Sequence, residues 1–297
     1  LEFYERVKVK NSFYLSNKMS KVNTFFDKVF VINLFDKTAR WKKVSSQLKR
    51  RKIKAERFIA IDGRCKDQGP AGCVQKLKSL ELTHNVKITK PRGVPYKEIV
   101  PASSLTIGTI LLLRAMVKNK WKRMLILEDD VDLARNFEKR FRAGIKSLGK
   151  KKWDLLYLGC GAECGHRDVS YDKTSKINKK STISKVLGVT EPGQVIYVKY
   201  KNDLRAPCED TFCRTITPKI SGAPIPGGTW AYGVTLAGAK KILKLMKNKH
   251  GIEDAGIHID QVYKMYCETG DLKCMAFDPP VVWHQEGYIR TDSDIPW

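Results

Sequence analysis

The chain has 297 residues, 42% of them hydrophobic, which is enough to fill the core of one large or two modest domains and excludes a chain too polar to fold. It carries 56 Lys and Arg against 31 Asp and Glu, a formal net charge of +25, so an anionic partner is expected: a phosphorylated small molecule, a nucleic acid or an acidic surface. Part of the excess lies in short runs such as KKK at 150–152 and NKK at 178–180, which read as solvated loops rather than as one binding face.

The opening residues, LEFYERVKVKNSFYLSNKMSK, lack the apolar core of a secretory signal, and no run approaches the ~18 apolar residues of a membrane span. Leu1 and Glu2 read as a cloning remnant and Met19 as a candidate internal start, so residues 1–19 are taken as an extension and 20–297 as a single soluble domain. Eight cysteines fall as near neighbours: Cys65 and Cys73, Cys160 and Cys164, Cys208 and Cys213, Cys267 and Cys274. The spacing permits local disulfides, but a domain of this size does not need them. Cys160, Cys164 and His166 lack an evident fourth partner for a zinc site.

KVFVINL (28–34) is a β-branched apolar run, followed over 39–52 by a helix with Trp41, Val44 and Leu48 on one stripe. ERFIAIDG (56–63) reads as a second strand. Residues 64–102 carry Gly, Pro and Cys without a clear period and read as a long loop. Ser103 or Ser104 is placed to cap a helix through LTIGTILLLRAMVKN, weakened by Gly108. KRMLILED (122–129) is a third strand, Phe137, Phe141, Ile145 and Leu148 recur at helical spacing before Gly149, and WDLLYLG (153–159) is a fourth strand. From 160 to 228 the chain turns polar. There YDKTSKINKKSTISK reads as an insertion, GQVIYVKY as a short strand and CEDTFCRTITPKISGAPIPGG as a loop. TWAYGVT (229–235) reads as a strand, LAGAKKILKLMKNK as a basic amphipathic helix and CMAFDPPVVWHQ as a strand interrupted by prolines. Strands alternating with helices predict an α/β fold with a mainly parallel sheet, whose ligands gather at the carboxyl ends of the strands.

LILEDDVDL (125–133) places Glu128, Asp129, Asp130 and Asp132 at one such end. Clustered carboxylates beside an apolar strand raise one another's pKa and resist desolvation, and a hard divalent cation relieves both costs. The alternative is an acidic first turn of the next helix, with Asp130 and Asp132 complementing its dipole. EF-hand spacing and a P-loop are both absent from the sequence.

Four segments, VFVINLFDKTARWKKV, FIAIDG, MLILEDDVDL and GGTWAYGVTLAGAKKIL, resemble in order and spacing glycosyltransferase family 25, which includes procollagen and lipooligosaccharide galactosyltransferases. The resemblance implies a GT-A type, Rossmann-like fold that transfers a sugar (galactose, glucose or N-acetylglucosamine) from a UDP-sugar, with Mn2+ or Mg2+ at the acidic motif. It implies Asp130 as first metal ligand, Asp132 as a second candidate and His284 as a third, with Glu128 and Asp129 at the donor and Asp260, in GIHIDQVYKMY, as the inverting base. Asn33 and Asp62 are candidates for uridine or ribose contacts and Arg40 for the diphosphate, while Trp230 and Tyr232 either line a pocket or pack. Expected partners are the donor and a collagen-like protein or glycan acceptor, with no specific nucleic acid and a dimer left open. The expected location is a secretory lumen or other site of glycoprotein assembly, with the cytoplasm left open. The family's Ser-His pair is replaced here by Leu112 and Leu113, which puts donor choice or activity in question. Rival readings are a nucleotidyl or phosphoryl transferase using the same carboxylates and a silent basic binding module.

Overall fold

A computed structural model describes residues 19–134, 136–159, 189–191, 194–195, 212–216, 228–278 and 280–284; at 189–191, 194–195 and 212–216, and at Lys66, Asp278, Trp283 and His284, it describes the backbone alone. The segments YDKTSKINKKSTISK and Cys160 to His166 lie outside the described residues, as do the side chains of Cys208 and Cys213.

In chain order the elements are α1 (Lys21–Phe25), β1 (Lys28–Asn33), α2 (Thr38–Arg50), β2 (Glu56–Ile59), α3 (Gly69–His84), α4 (Tyr96–Asn119), β3 (Arg123–Glu128), β4 (Val131–Leu133), α5 (Phe137–Leu148) and β5 (Leu155–Gly159). There follow β6 (Val189–Glu191), β7 (Gln194–Val195), β8 (Phe212–Ile216), β9 (Ala231–Thr235), α6 (Leu236–Leu245), α7 (Ile259–Thr269), β10 (Cys274–Asp278) and β11 (Val282–His284). The central sheet has seven strands in the order β2-β1-β3-β9-β5-β10-β8. Strands β2, β1, β3, β5 and β10 run one way, while β9 and β8 run antiparallel to their neighbours. The fold is therefore α/β with a mainly parallel sheet, and β9 is the reversed strand at its centre.

Helices cover both faces because the inner strands are apolar on both. Phe30, Ile32, Met124, Ile126, Tyr157 and Tyr232 pack against α3, α4, α6 and α7. Val29, Val31, Leu125, Leu127 and Leu158 pack on the other face against α1, α2 and α5. The stripe Val44 and Leu48 is buried on α2, and Phe137, Phe141 and Leu148 on α5, as their helical spacing predicts.

Three expectations are corrected. Residues 64–102 are not a loop: a 3-10 turn at Lys66–Gln68, α3 and the start of α4 occupy most of them. Only Cys73, Leu77 and Leu80 are buried along α3, too sparse a stripe to announce a helix. Neither Ser103 nor Ser104 caps α4, which begins at Tyr96; Ser104 Oγ instead donates to Val100 O at 2.8 Å. Pro101 costs this helix one backbone bond, offset by burying Ile99 and Val100. The loop read over 208–228 contains β8, an edge strand paired antiparallel with β10. CMAFDPPVVWHQ does divide at its prolines, and its two halves enter different sheets, β10 the central one and β11 a two-stranded sheet with β4.

Helix α4 is long and apolar enough to cross a membrane by length and composition, but 78% of the relevant stretch is buried inside the protein, where it packs against α3, α6 and α7. Among the described residues two disulfides pin the same side: Cys65–Cys73 ties the entry of α3, and Cys267–Cys274 ties the end of α7 to β10. Loops this short limit the unfolded chain by roughly 2–3 kcal/mol per bridge. Replacing Cys267 and Cys274 together by Ser is therefore expected to lower stability by about 2–3 kcal/mol in urea unfolding. Alkylation of the unfolded, unreduced protein should leave these four cysteines unlabelled, and full labelling would remove both bridges from the account.

Candidate active site

Asn33 closes β1 and Glu128 closes β3, so the two residues sit beside each other at the carboxyl edge of the sheet. Glu128 ends the strand and Asp129 and Asp130 form the turn after it, so Glu128 and the two aspartates meet different neighbours. Glu128 accepts from Thr229 Oγ1 at 2.8 Å just ahead of β9. Asp129 turns toward α2, where it accepts from Asn33 Nδ2 and from Arg40 Nη1 at 3.5 Å. Asp130 lies 3.7 Å from the same guanidinium.

Asn33 is 1% exposed, and all its polar atoms are used: Nδ2 also donates to Lys37 O at 3.0 Å, and Oδ1 accepts from Arg57 Nε at 2.7 Å. Arg57 also donates to the carbonyls of Leu34 and Phe35, each at 3.0 Å, and its guanidinium lies 5.6 Å from the Trp41 ring. Asn33 thus joins a buried carboxylate to a cation. Burial pushes the Asp129 carboxyl above the ordinary range and the Asp130 charge adds to that, while Asn33 and Arg40 pull the other way.

The acidic residues are not the first turn of a helix. Asp129 and Asp130 form a turn, Asp132 sits in β4, and α5 starts only at Phe137. Asp132 accepts from Gln47 Nε2 at 2.8 Å and lies 4.0 Å from Lys43 Nζ, both on α2. Gln47 was not singled out in the sequence, yet it also donates to Val131 O at 3.1 Å and accepts from Leu133 N at 3.0 Å. Its signal was a polar residue one turn from Val44 on the apolar stripe.

β4 pairs antiparallel with β11, which places the backbone of His284 opposite Val131, between Asp130 and Asp132. Gly159 permits this approach, since a Cβ there would come within 2.2 Å of Val282 O. Glu128, Asp129 and Asp130 are hard oxygen donors of the type a dication takes, but Glu128 is turned to Thr229 while Asp129 and Asp130 share Arg40. Among the described residues no three Asp, Glu, His or Cys side chains are grouped so that they could hold a metal ion, and the side chain of His284 lies outside the described residues.

Across the sheet, Asp260 lies in the first turn of α7, its side chain 13% exposed, and accepts from Gln261 N at 2.7 Å. His258 caps this helix with Nδ1 3.9 Å from Asp260 Oδ1; burial lowers the imidazole's pKa and the Asp260 charge partly opposes it. Glu128 and Asp260 flank one tyrosine cluster. The charge of Glu128 acts on Tyr232 and that of Asp260 on Tyr157, and Tyr232 packs edge-on against Tyr263 of α7 with ring centres 5.3 Å apart. Tyr232 is 1% exposed, its hydroxyl pushed up to about 12 by burial, so it packs in the core. Trp230 is half-buried against the opposite core, and its carbonyl accepts from Glu128 N at 2.9 Å. Leu112 and Leu113 are core residues of α4 at 3% and 0% exposure.

The glycosyltransferase family 25 (LPS biosynthesis protein) family model matches residues 26–263, and the chain belongs to that family. The human procollagen galactosyltransferase 2 is 23% identical over 92% of this chain and 38% of its own length. The mouse inactive glycosyltransferase 25 family member 3 is 29% identical over 48% of this chain and 23% of its own. This chain therefore spans well under half of these relatives. The solved apo form of mouse xyloside xylosyltransferase 1 aligns over 90% of this chain and 99% of its own at 11% identity, with a TM-score of 0.37, too low to bear on fold or chemistry.

Asp62 stands outside the carboxylate cluster as an exposed residue. Arg64 donates to it through Nε and Nη2 at 2.9 and 2.8 Å, and reaches Asp36 at 2.7 and 3.1 Å. The Arg64 hydrogen bond dominates and holds the Asp62 carboxyl down at about 2. A depressed carboxylate adds stability above its unfolded pKa and loses it as pH falls through the folded one, so this contribution fades between about pH 4 and 2 and is small at an exposed pair. An NMR titration of Asp62 should show a midpoint near 2 that returns toward 3.8 in Arg64→Ala. An unchanged midpoint would dissolve the clamp.

Proposed function

We propose that this chain is a metal-dependent, inverting glycosyltransferase that moves a sugar from a UDP-sugar to a hydroxyl of a collagen-like protein or a glycan. The observation that carries this reading is the division of labour around one strand end: Asp129 and Asp130 face the cations of α2, while Glu128 and Asp260 border one tyrosine cluster on the other face. The names of the relatives favour galactose as the sugar and procollagen-like chains as acceptors.

In this reading Asp130, with His284 alongside on β11, would hold Mn2+ or Mg2+. When bound, the ion neutralises charge that builds on the departing diphosphate. Arg40 and Arg57 border the same edge and would add fixed positive charge, worth more in the transition state than in the ground state. Glu128, fixed by Thr229, would orient the donor, with Asn33 on the uridine side, its buried hydrogen bonds making its part a positioning one; Asp62, held by Arg64, would reach the donor only by exchanging that partner. Asp260 would take the proton from the acceptor hydroxyl, and α7, packed on α4, keeps it in place. The two disulfides suit an oxidising compartment, and a secretory lumen is the location we propose.

Two measurements bear on this. In a panel of nucleotide sugars with Mn2+, a matching UDP-sugar at about a hundredfold excess over its Kd should raise the melting temperature by roughly 5 °C. That rise should vanish in Asp130→Ala, and a panel without any metal-dependent rise would sink the donor reading. Asp260→Asn should lower transfer by about 10²- to 10⁴-fold while donor-induced stabilisation persists. Undiminished transfer would remove Asp260 from the role of base.

A further inference from the structure

Between Asp36 and Glu56 the sequence has nine Lys and Arg and no Asp or Glu. Three of these cations have work elsewhere in the fold. Arg40 faces Asp129 and Asp130, Lys43 lies 4.0 Å from Asp132, and Arg51 donates to the carbonyls of Leu133 and Ala134, each at 2.9 Å. Four others, Lys42, Lys49, Lys52 and Lys54, are exposed and line one cavity of about 840 Å³ between α2 and the start of β2. None of the four is within ion-pair distance of a described carboxylate; Glu56, on the same rim, is taken by Lys28 at 2.6 Å.

We propose that this groove is a docking site for an extended anionic glycan, a polysaccharide bearing sulfates or carboxylates at regular intervals. The argument is charge complementarity on a fixed frame. Four ammonium groups with no ion-pair partner among the described residues hold a positive local potential that a bound anion relieves. Two of them sit on one helix, α2, where Lys42 and Lys49 are seven positions apart, roughly 10 Å of rise, and Lys52 and Lys54 follow in the turn that leads to β2. That is a spacing of point charges suited to successive anionic groups on a stiff chain, and lysine is a point-charge donor rather than a planar fork. Ser45 adds a hydroxyl to the same wall and Trp41 an apolar one. A single-stranded nucleic acid fits less well, because its sequence-tolerant binding rests on successive aromatic platforms. Here the wall has one aromatic ring, and Arg57 already lies over it at 5.6 Å.

The groove runs along α2 from Trp41 and Lys42 near its start to Glu56 at the start of β2, whereas Arg40 and Lys43 of the same helix face the carboxylates that follow β3. An anionic chain held there would be retained by the protein without entering the candidate active site. The inference is therefore independent of which sugar is transferred.

The test is fluorescence anisotropy of the full chain with a labelled, size-defined sulfated oligosaccharide of about ten sugars at ~150 mM salt. Replacing Lys42, Lys49, Lys52 and Lys54 together by Ser should weaken binding about tenfold or more. A control variant replacing Lys240, Lys244, Lys247 and Lys249, four exposed lysines on and after α6, removes the same net charge and should weaken it less than about threefold. Equal loss in both variants would mean that only overall charge attracts the ligand, and no loss in the groove variant would empty the site. Tighter binding of single-stranded DNA of equal length, lost in the groove variant, would also overturn the assignment by making the groove a nucleic-acid site.

Discussion

The structure depends on how three consecutive carboxylates are accommodated at the end of a buried strand. β3 is apolar through Met124 to Leu127 and is followed at once by Glu128, Asp129 and Asp130. Glu128 turns to Thr229 while Asp129 and Asp130, in the turn that follows, share Arg40, so the three do not all crowd one desolvated spot. Asp129 shows what is left of the cost: it is 8% exposed and its carboxyl is pushed up by burial and by its neighbour, despite Asn33 and Arg40. A chain selected for stability alone would gain by replacing such a group with an apolar one. In the proposed reading its presence marks a place where local stability yields to chemistry.

Helix α2 organises the response. Its inner side supplies Val44 and Leu48 to the core, while Arg40, Lys43 and Gln47, with Arg51 just beyond its end, reach the segment from Asp129 to Ala134. The same segment forms β4, which brings in β11 from far along the chain and with it the backbone of His284. One helix therefore sets the acidic turn, and through β4 and β11 it governs where the C-terminal strand can approach. On its remaining side the lysines of α2 face outward, so the positive charge of the chain is partly structural and partly free for a ligand.

The sequence discloses those features that local periodicity or composition controls. Helix α5 follows from Phe137, Phe141 and Leu148, and the inner strands β1, β3 and β5 from β-branched and aliphatic runs. Features that depend on distant partners were hidden. β4 is three residues long and exists because Val282 to His284 pair with it, and β8 is an edge strand whose partner β10 lies about 60 positions downstream. α3 carries a thin apolar stripe reinforced by a disulfide, and neither reads as a helix from periodicity. Among the site residues, the position of Glu128 to Asp130 at a strand end was legible. The roles of Thr229, Gln47, Arg57 and Arg64 were not, because a hydrogen-bond partner far away in sequence leaves no local mark. Asp62, expected at the donor, is clamped by Arg64 at the surface, and Asp132 is occupied by α2.

The central claim is that the carboxyl end of β3 binds a dication bridging to a sugar donor's diphosphate. The most direct measurement is the anomalous scattering of manganese in crystals soaked with Mn2+ and a UDP-sugar. The account predicts a peak in direct contact with an Asp130 oxygen, with the diphosphate on its far side and Arg40 within reach of it. A donor bound with no manganese at residues 128–130, or manganese bound elsewhere on the chain, would contradict it.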